Sequence, residues 1–460
     1  MNVCVIGLGR IGLPMAAVCA KKGHKVIGVD TSDAAVNAVT EGKPLFFEPE
    51  LEELVSKHGK DGSLTATKDV GKAVAESKVV VVTIGTSVSE DGFPLLDNAF
   101  DVARNIGKAN PNGKTIIFKP TLPLGTTRIL VGEIEKQSGL KCGKDFYAAF
   151  SPERIVEGKA VAEMQSLTKV IGGMDAESSR RAVEFYKTIG GEIVVVEKPE
   201  AAEMVKLLDN SFRSTLFAFS NDVALACEDW KLNAFEVIAA ANHGYERNRI
   251  ANPSCGVSGL TAFDISKTFS KESIQRGGVA KPSCGVSGYC LTKDPIYLES
   301  GFSSIAKNRG FSSLWKRGRE INDYMPKHTM NLVRDALESR KIGLKGARVV
   351  ICGVTYKENV DDVRNSHGVI IAESLRNEGA VVSVWDPRAE KVDFPRLESA
   401  EAAFENADAV VFTVPHKEFK SLDVESLAKK MRTPVVIDGW GLFLNLRGNE
   451  SVEYRCVGVG

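Results

Sequence analysis

The sequence predicts an α/β chain of two doubly wound domains joined by a helical middle with one long spine helix. Three observations lead there. A short apolar run, Val3-Cys4-Val5-Ile6, enters a Gly7-x-Gly9-x-x-Gly12 turn, as a buried parallel strand does before a helix. Ala201 to Trp230 keeps apolar residues at helical spacing with no internal Gly or Pro. From Ala347 a second alternation of apolar runs and helical stretches begins, opening on Arg348-Val349-Val350-Ile351-Cys352-Gly353.

Taken in order, Leu13 to Lys22 reads as an Ala-rich helix that Gly23 ends, and Lys25 to Asp30 as the second strand. Val79 to Ile84, Thr115 to Phe118, Ala148 to Phe150 and Ile193 to Val196 are further strands. Val70 to Glu76, Ala99 to Ala109 and Ala176 to Lys187 are helices. This first Rossmann-like domain closes near Lys198-Pro199, giving 1–198. The helical middle spans 199–335, resuming as helix from Phe311 to Leu337. The smaller second Rossmann-like domain, 336–460, takes a helix at Val369 to Asn377. Its strands lie at Ala380 to Trp385, Ala409 to Val414 and Val435 to Asp438.

Composition narrows the function classes. The 460 residues are 43% hydrophobic and 26% charged, which suits a large buried core. Lys+Arg and Asp+Glu balance at 59 each, so charge points to neither nucleic acid nor a membrane surface. No apolar run reaches membrane-spanning length. Nine cysteines, scattered without metal-type CxxC pairs, fit reduced thiols in the cytoplasm and no metal site. Cys4, Cys19 and Cys352 sit in apolar runs and read as core residues.

The chemistry is carried by a pairing of motifs. Gly7, Gly9 and Gly12, with Arg10 and Ile11 between them, let backbone approach a pyrophosphate at a helix N-terminus. Asp30 stands about 20 residues on, where an acid accepts from ribose hydroxyls, and no basic residue follows it, which favours NAD over NADP. Far downstream, Cys290 precedes Lys293 and Asp294. A hydride acceptor combined with a reactive thiol can oxidise an alcohol past the aldehyde: the thiol captures the aldehyde as a thiohemiacetal, which becomes a thioester, and water frees the acid. On a helix, Lys206 and Asn210 lie four apart and share a face, offering an ammonium and an amide to an oxygen that turns anionic.

One segment is duplicated. Ile250 to Gly259 recurs as Val279 to Gly288, both containing Pro-Ser-Cys-Gly-Val-Ser-Gly. An insert therefore lies near 260–288; only the second copy runs into Tyr289-Cys290, so it is expected to form the substrate loop, with the first copy and the polar stretch to Gly278 looping out at the surface.

The motifs together resemble the UDP-glucose/GDP-mannose dehydrogenase superfamily of nucleotide-sugar 6-dehydrogenases, over nearly the whole chain. The matching segments are Gly7 to Pro14, Pro120 to Thr127, Ser151 to Gly158, Glu203 to Phe212, Cys290 with Lys293 and Asp294, and Tyr356-Lys357 through Ser366. The resemblance implies NAD held by Gly7, Gly9, Arg10, Ile11, Gly12, Asp30, Thr86 and Thr121. It implies Cys290 as nucleophile, Lys206 and Asn210 at the oxyanion, Thr121 and Asp294 around a water, and Glu153 as base for thioester hydrolysis. Glu157, Lys206, Arg247, Lys293, Tyr356 and Lys357 would contact a UDP-sugar, and the assembly would be a homodimer or larger. The branch it most resembles handles UDP-N-acetylhexosamines of the mannosamine type, with UDP-glucose as the runner-up. A single-step hydroxyacid dehydrogenase and an inactive nucleotide-sugar binder are the competing readings; the region after Ala347 speaks against the former. Two departures stand out. Ser283-Cys284-Gly285-Val286-Ser287-Gly288 has Ser and Cys where relatives often have Gly, and Asp438-Gly439-Trp440-Gly441 stands where many place a substrate arginine.

Overall fold

The computed structural model describes residues 1–89, 93–243, 283–306, 313–389 and 391–459. Arg247, the first copy of the repeat and most of the insert lie outside them. The chain divides into two compact units, Met1–Asp209 with Ile296–Arg309 and Asn210–Pro295 with Gly310–Gly460.

The first unit is built on strands β1 (Asn2–Ile6), β2 (Lys25–Val29), β3 (Leu64–Thr67), β4 (Val79–Val82), β7 (Thr115–Phe118), β8 (Tyr147–Phe150), β9 (Lys169–Gly173) and β10 (Ile193–Val196). They form one sheet in the order β10-β9-β8-β7-β4-β1-β2-β3. Every neighbouring pair is parallel except β8 and β9. A small antiparallel hairpin, β5 (Ser87–Val88) with β6 (Pro94–Leu95), leads into the helix Asp97–Lys108. β4 is Val-Val-Val-Val with every residue buried, as a strand covered by helices on both faces requires. Apolar side chains of β1 split between two cores: Val3 and Val5 pack on one face, Cys4 and Ile6 on the other.

In the second unit, β11 (Arg348–Cys352), β12 (Val381–Trp385), β13 (Ala409–Phe412), β14 (Val435–Asp438) and β15 (Glu453–Cys456) make an all-parallel sheet in the order β12-β11-β13-β14-β15. The helical middle contains the spine helix Pro199–Asp229, the helix Ala234–Asn242, the thiol-bearing helix Tyr289–Ala306 and the helix Leu314–Ser339. The two doubly wound sheets, the helical middle and the 31-residue spine helix are those the sequence predicts.

The two sheets repeat one turn. Gly7 has φ +94° and its N–H donates to Val29 O at 2.7 Å; Leu8 N donates to Asp30 Oδ2 at 2.8 Å. Gly353 has φ +95° and its N–H donates to Trp385 O at 2.9 Å; Val354 N donates to Asp386 Oδ2 at 2.6 Å. Thr83 Oγ1 donates toward the Ile6 and Gly7 carbonyls, and Thr413 Oγ1 toward those of Cys352 and Gly353. A Cβ at Gly12 would stand 1.6 Å from Gly7 O, and one at Gly368 would stand 2.4 Å from Gly353 O.

Candidate functional site

The residues singled out by the sequence fall into two groups, one per unit. In the first, the candidate residues stand at the carboxyl ends of parallel strands, where open α/β sheets bind their ligands. The glycine turn fits a dinucleotide. Gly7 needs its positive φ, Gly12 leaves no room for a side chain, and a Cβ on Gly9 would meet nothing within 4 Å. Gly9 thus faces open space at the start of the helix Gly12–Lys21, whose N-terminus has no side-chain cap. Asp30 accepts from Leu8 N and, at 2.9 Å, from Ser32 N, which fixes the carboxylate at the tip of β2. Each of its oxygens keeps a lone pair for a ribose hydroxyl. Arg10 and Ile11 lie in the turn, and Arg10 forms an ion pair with Glu157, a side chain the sequence assigns to substrate.

Thr86 Oγ1 donates to Thr121 O at 2.8 Å, joining the two threonines expected near the cofactor. The segment after Thr121 is anchored from the spine helix. Buried Glu203 accepts from Gly125 N at 2.6 Å, Thr127 N at 2.8 Å and Thr127 Oγ1 at 2.6 Å. A carboxylate there satisfies the first amides of the helix Thr126–Ser138. Glu153, just past β8, accepts from Arg154 N and Ile155 N and pairs with Lys119 Nζ at 3.1 Å. Lys119, just past β7, also donates to Tyr186 Oη at 3.1 Å and is 4% exposed. Burial works to raise the Glu153 carboxyl, but Lys119, Lys169 and the Ile155 amide outweigh it and hold it below its ordinary value. Lys169, at the start of β9, is itself brought down to about 8 by burial. Sequence reading missed Lys119 and Lys169. Lys119 directly precedes the Pro-Thr segment, which was the available signal.

In the second unit, Cys290 opens the helix Tyr289–Ala306. Among the described cysteines it is the exposed one; Cys142 is intermediate and the rest are buried. Burial pushes the thiols of Cys4, Cys19 and Cys284 up to about 12, which makes them poor nucleophiles. One turn after Cys290, Lys293 is 4% and Asp294 0% exposed. Asp294 Oδ2 accepts from Asn210 Nδ2 at 2.5 Å, so two of the expected residues meet. That bond uses one amide hydrogen of Asn210 and leaves the other available. Lys206 lies one helical turn before Asn210 on the spine helix, half-buried.

The loop before Cys290 absorbs its unusual residues. Ser283 Oγ donates to Gly285 O, Cys284 Sγ donates to Thr413 O, and Ser287 Oγ accepts from His367 N. Gly285 and Gly288 have φ of +114° and +92°, and a Cβ on either would strike His367 or Tyr356. The expected substrate residues Tyr356 and Lys357 therefore flank this loop's contact surface; Lys357 Nζ lies 5.7 Å from the Tyr356 ring centroid. The Asp438-to-Gly441 segment is structural: fully buried Asp438 accepts from Trp440 N, Phe443 N and Tyr454 Oη.

Comparison with known proteins agrees with this layout. Residues 1–190 match the NAD binding domain of the UDP-glucose/GDP-mannose dehydrogenase family, 200–265 its central domain and 350–445 its UDP binding domain. The chain is 30% identical over 439 residues to UDP-N-acetyl-D-mannosamine dehydrogenase of Pyrococcus horikoshii, covering 95% of each. The structure of the Pyrococcus horikoshii UDP-D-ManNAc dehydrogenase superposes with a TM-score of 0.85 at 30% identity over 100% of each chain. A UDP-glucose dehydrogenase from Pyrobaculum islandicum gives 0.80 at 26% identity, over 100% of this chain and 98% of the other. The chain belongs to the UDP-glucose/GDP-mannose dehydrogenase family and is an NAD-dependent nucleotide-sugar dehydrogenase.

Proposed function

We propose that the chain oxidises the C6 hydroxymethyl of a UDP-N-acetylhexosamine, of the mannosamine type, to the carboxylate. The observation that carries this reading is Cys290, an exposed thiol one turn from buried Asp294, which holds Asn210. NAD, when bound, takes up a hydride at each of the two oxidations. Lys206 and Asn210 supply an ammonium and an amide N–H to the oxygen as it becomes anionic. The Cys290 thiolate adds to the aldehyde carbon and the oxygen picks up a proton, giving a thiohemiacetal. Loss of hydride and of the hydroxyl proton leaves a thioester. Glu153, held as a carboxylate by Lys119, takes a proton from water as it attacks. The C–S bond breaks, Cys290 is regenerated and the acid departs.

Thr121, Glu157, Lys293, Tyr356 and Lys357 are assigned to orienting water and substrate. The likeness to UDP-N-acetyl-D-mannosamine dehydrogenases favours the hexosamine, and that to a UDP-glucose dehydrogenase keeps UDP-glucose as the second reading. The three-part organisation, 1–198, 199–335 and 336–460, follows the order of the family's domains. An apolar stripe on the spine helix supports a homodimer or larger assembly. Phe212 and Phe219 are 54% and 56% exposed and fall on one face, and Trp230, 79% exposed, lies just past the C-terminal end of the helix.

The test is NADH formed per sugar with UDP-N-acetylmannosamine, UDP-N-acetylglucosamine, UDP-N-acetylgalactosamine and UDP-glucose. Two per sugar is expected, with UDP-N-acetylmannosamine the fastest. One per sugar would leave a single-step dehydrogenase, and none an inactive binder.

A further inference from the structure

The thiol-bearing helix contains Pro295. Proline has no N–H, so the carbonyl four residues back, that of Leu291, loses its helical donor. Arg319 fills that gap: its Nη1 donates to Leu291 O at 3.3 Å. Its Nη2 donates to Val286 O, also at 3.3 Å. One guanidinium therefore bonds to backbone on both sides of Cys290, four residues before it and one after. Asp323, a turn further along the same helix, accepts from Nε at 2.9 Å and Nη2 at 2.6 Å and so aims the fork. Arg319 is 7% exposed although Asp323 is largely in solvent, so the cation is buried for the sake of these backbone acceptors.

We infer that Arg319 is the positioning residue of the Cys290 nucleophile, fixing the loop and the first helical turn as one piece. This rests on the reading of Cys290 as the covalent residue. Other bonds secure the outer ends of the loop: Ser283 N donates to Asn221 Oδ1 at 3.0 Å and Gly288 N to Asn365 O at 3.1 Å. Arg319 alone among these spans the thiol. The fork matters, because Nη1 and Nη2 serve the two carbonyls separately while Nε and Nη2 stay on Asp323, and a lysine ammonium has one nitrogen and three donors for all of these bonds. The effect belongs to the second oxidation, which needs the sulfur at a set distance from the aldehyde carbon. The first, which involves no thiol, should be nearly indifferent.

The experiment uses full-length Arg319→Lys, Arg319→Ala and Asp323→Asn, with Cys290→Ser as reference. NADH release is followed in single turnover from the UDP-sugar alcohol and, separately, from its 6-aldehyde. Arg319→Lys and Arg319→Ala should slow aldehyde oxidation by about 100-fold while the alcohol step changes little, so that aldehyde accumulates. Asp323→Asn should show the same split more weakly. Millimolar guanidinium should restore part of the aldehyde step in Arg319→Ala and none in Cys290→Ser. Equal slowing of both steps, no slowing, or absence of rescue would overturn the assignment. If Arg319→Ala does not fold, the split in Arg319→Lys and Asp323→Asn decides. Normal aldehyde oxidation by Cys290→Ser would instead overturn the covalent reading beneath it.

Discussion

Lys119 Nζ stands 3.1 Å from Glu153 Oε2, at the carboxyl ends of two neighbouring parallel strands, with the lysine buried and the carboxylate nearly so. Tyr186 and Lys169 act on the pair directly, and Arg154 and Glu163 act on Lys169 in turn. The base role proposed for Glu153 needs a carboxylate, and the carboxyl is held below its ordinary value against the pull of burial.

The acid limb of the second half-reaction should consequently lie below the ordinary carboxylate range. Lys119→Met removes the attraction and leaves the burial, so the Glu153 carboxyl rises and activity is lost at higher pH. Lys119→Arg should recover much of the shift. An acid limb that stays in place in Lys119→Met would separate Glu153 from base catalysis. The measurement is kcat against pH with the 6-aldehyde as substrate.

Cys290→Ser should lower NADH per sugar from two, stalling at or before the second oxidation, because a hydroxyl is a far weaker nucleophile than a thiolate. Iodoacetamide should label Cys290 of the native chain well ahead of Cys4, Cys19 and Cys284, whose thiols burial holds near 12. Peptide mass mapping of a labelling time course checks this. Full two-NADH turnover by the serine variant would exclude the thioester.

Cofactor choice should follow Asp30. Its carboxylate would meet a 2′-phosphate as like charge, so NAD should be preferred over NADP. Asp30→Asn keeps an oxygen for Leu8 N and removes the charge. The NAD/NADP ratio of kcat/KM should then fall by roughly tenfold, the worth of about 1.4 kcal/mol between partly exposed charges. Equal efficiency with both cofactors in the parent chain would refute the role.

His367 carries a pH dependence of stability. Burial first, then the nearby Arg319 charge, lowers its pKa to about 3, and its Nδ1 donates to Cys284 O at 3.2 Å. Unfolded, it binds a proton below about 6.5; folded, it does not until about 3. The unfolded state therefore gains as pH falls through that window, at a limit of about 1.4 kcal/mol per pH unit. His367→Gln, which retains a donor, should show a smaller drop in urea midpoint between pH 7 and pH 5. Parallel curves would show that His367 does not contribute.

Self-association should depend on the spine-helix stripe. Phe219→Lys places a charge on it and should shift the molar mass in light scattering toward that of one chain, with little change in melting temperature. An unchanged assembly would put the interface elsewhere.

Much of this was legible in the sequence because period and glycine placement determine it. The four-valine β4, the turn at Gly7 and the uninterrupted spine helix each follow from local pattern. β3, Leu-Thr-Ala-Thr, is polar, short and at a sheet edge, and β9 ends in two glycines, so neither reads as a strand alone. The antiparallel turn between β8 and β9 depends on tertiary pairing. In the site, Cys290, Asp294 and Asn210 were visible from spacing. Lys119 and Arg319 were not, since a buried cation is written with the same letter as one in solvent, and only its partners distinguish it.

The twin turns are not equivalent toward a ligand. The enzyme handles two ligands that both contain ribose and diphosphate, and its halves offer nearly the same cradle. Asp386 differs from Asp30 in having nothing left to give. It is 4% exposed and accepts from Val354 N, Thr355 N, Arg388 N and Ala389 N. His416, whose Nδ1 accepts from Asn359 N, turns a protonated Nε2 to it at 3.2 Å. Five donors exceed the roughly four lone-pair sites of a carboxylate. A ribose set at this turn would find no acceptor left on Asp386, so the second cradle repeats the backbone of the first without its carboxylate anchor.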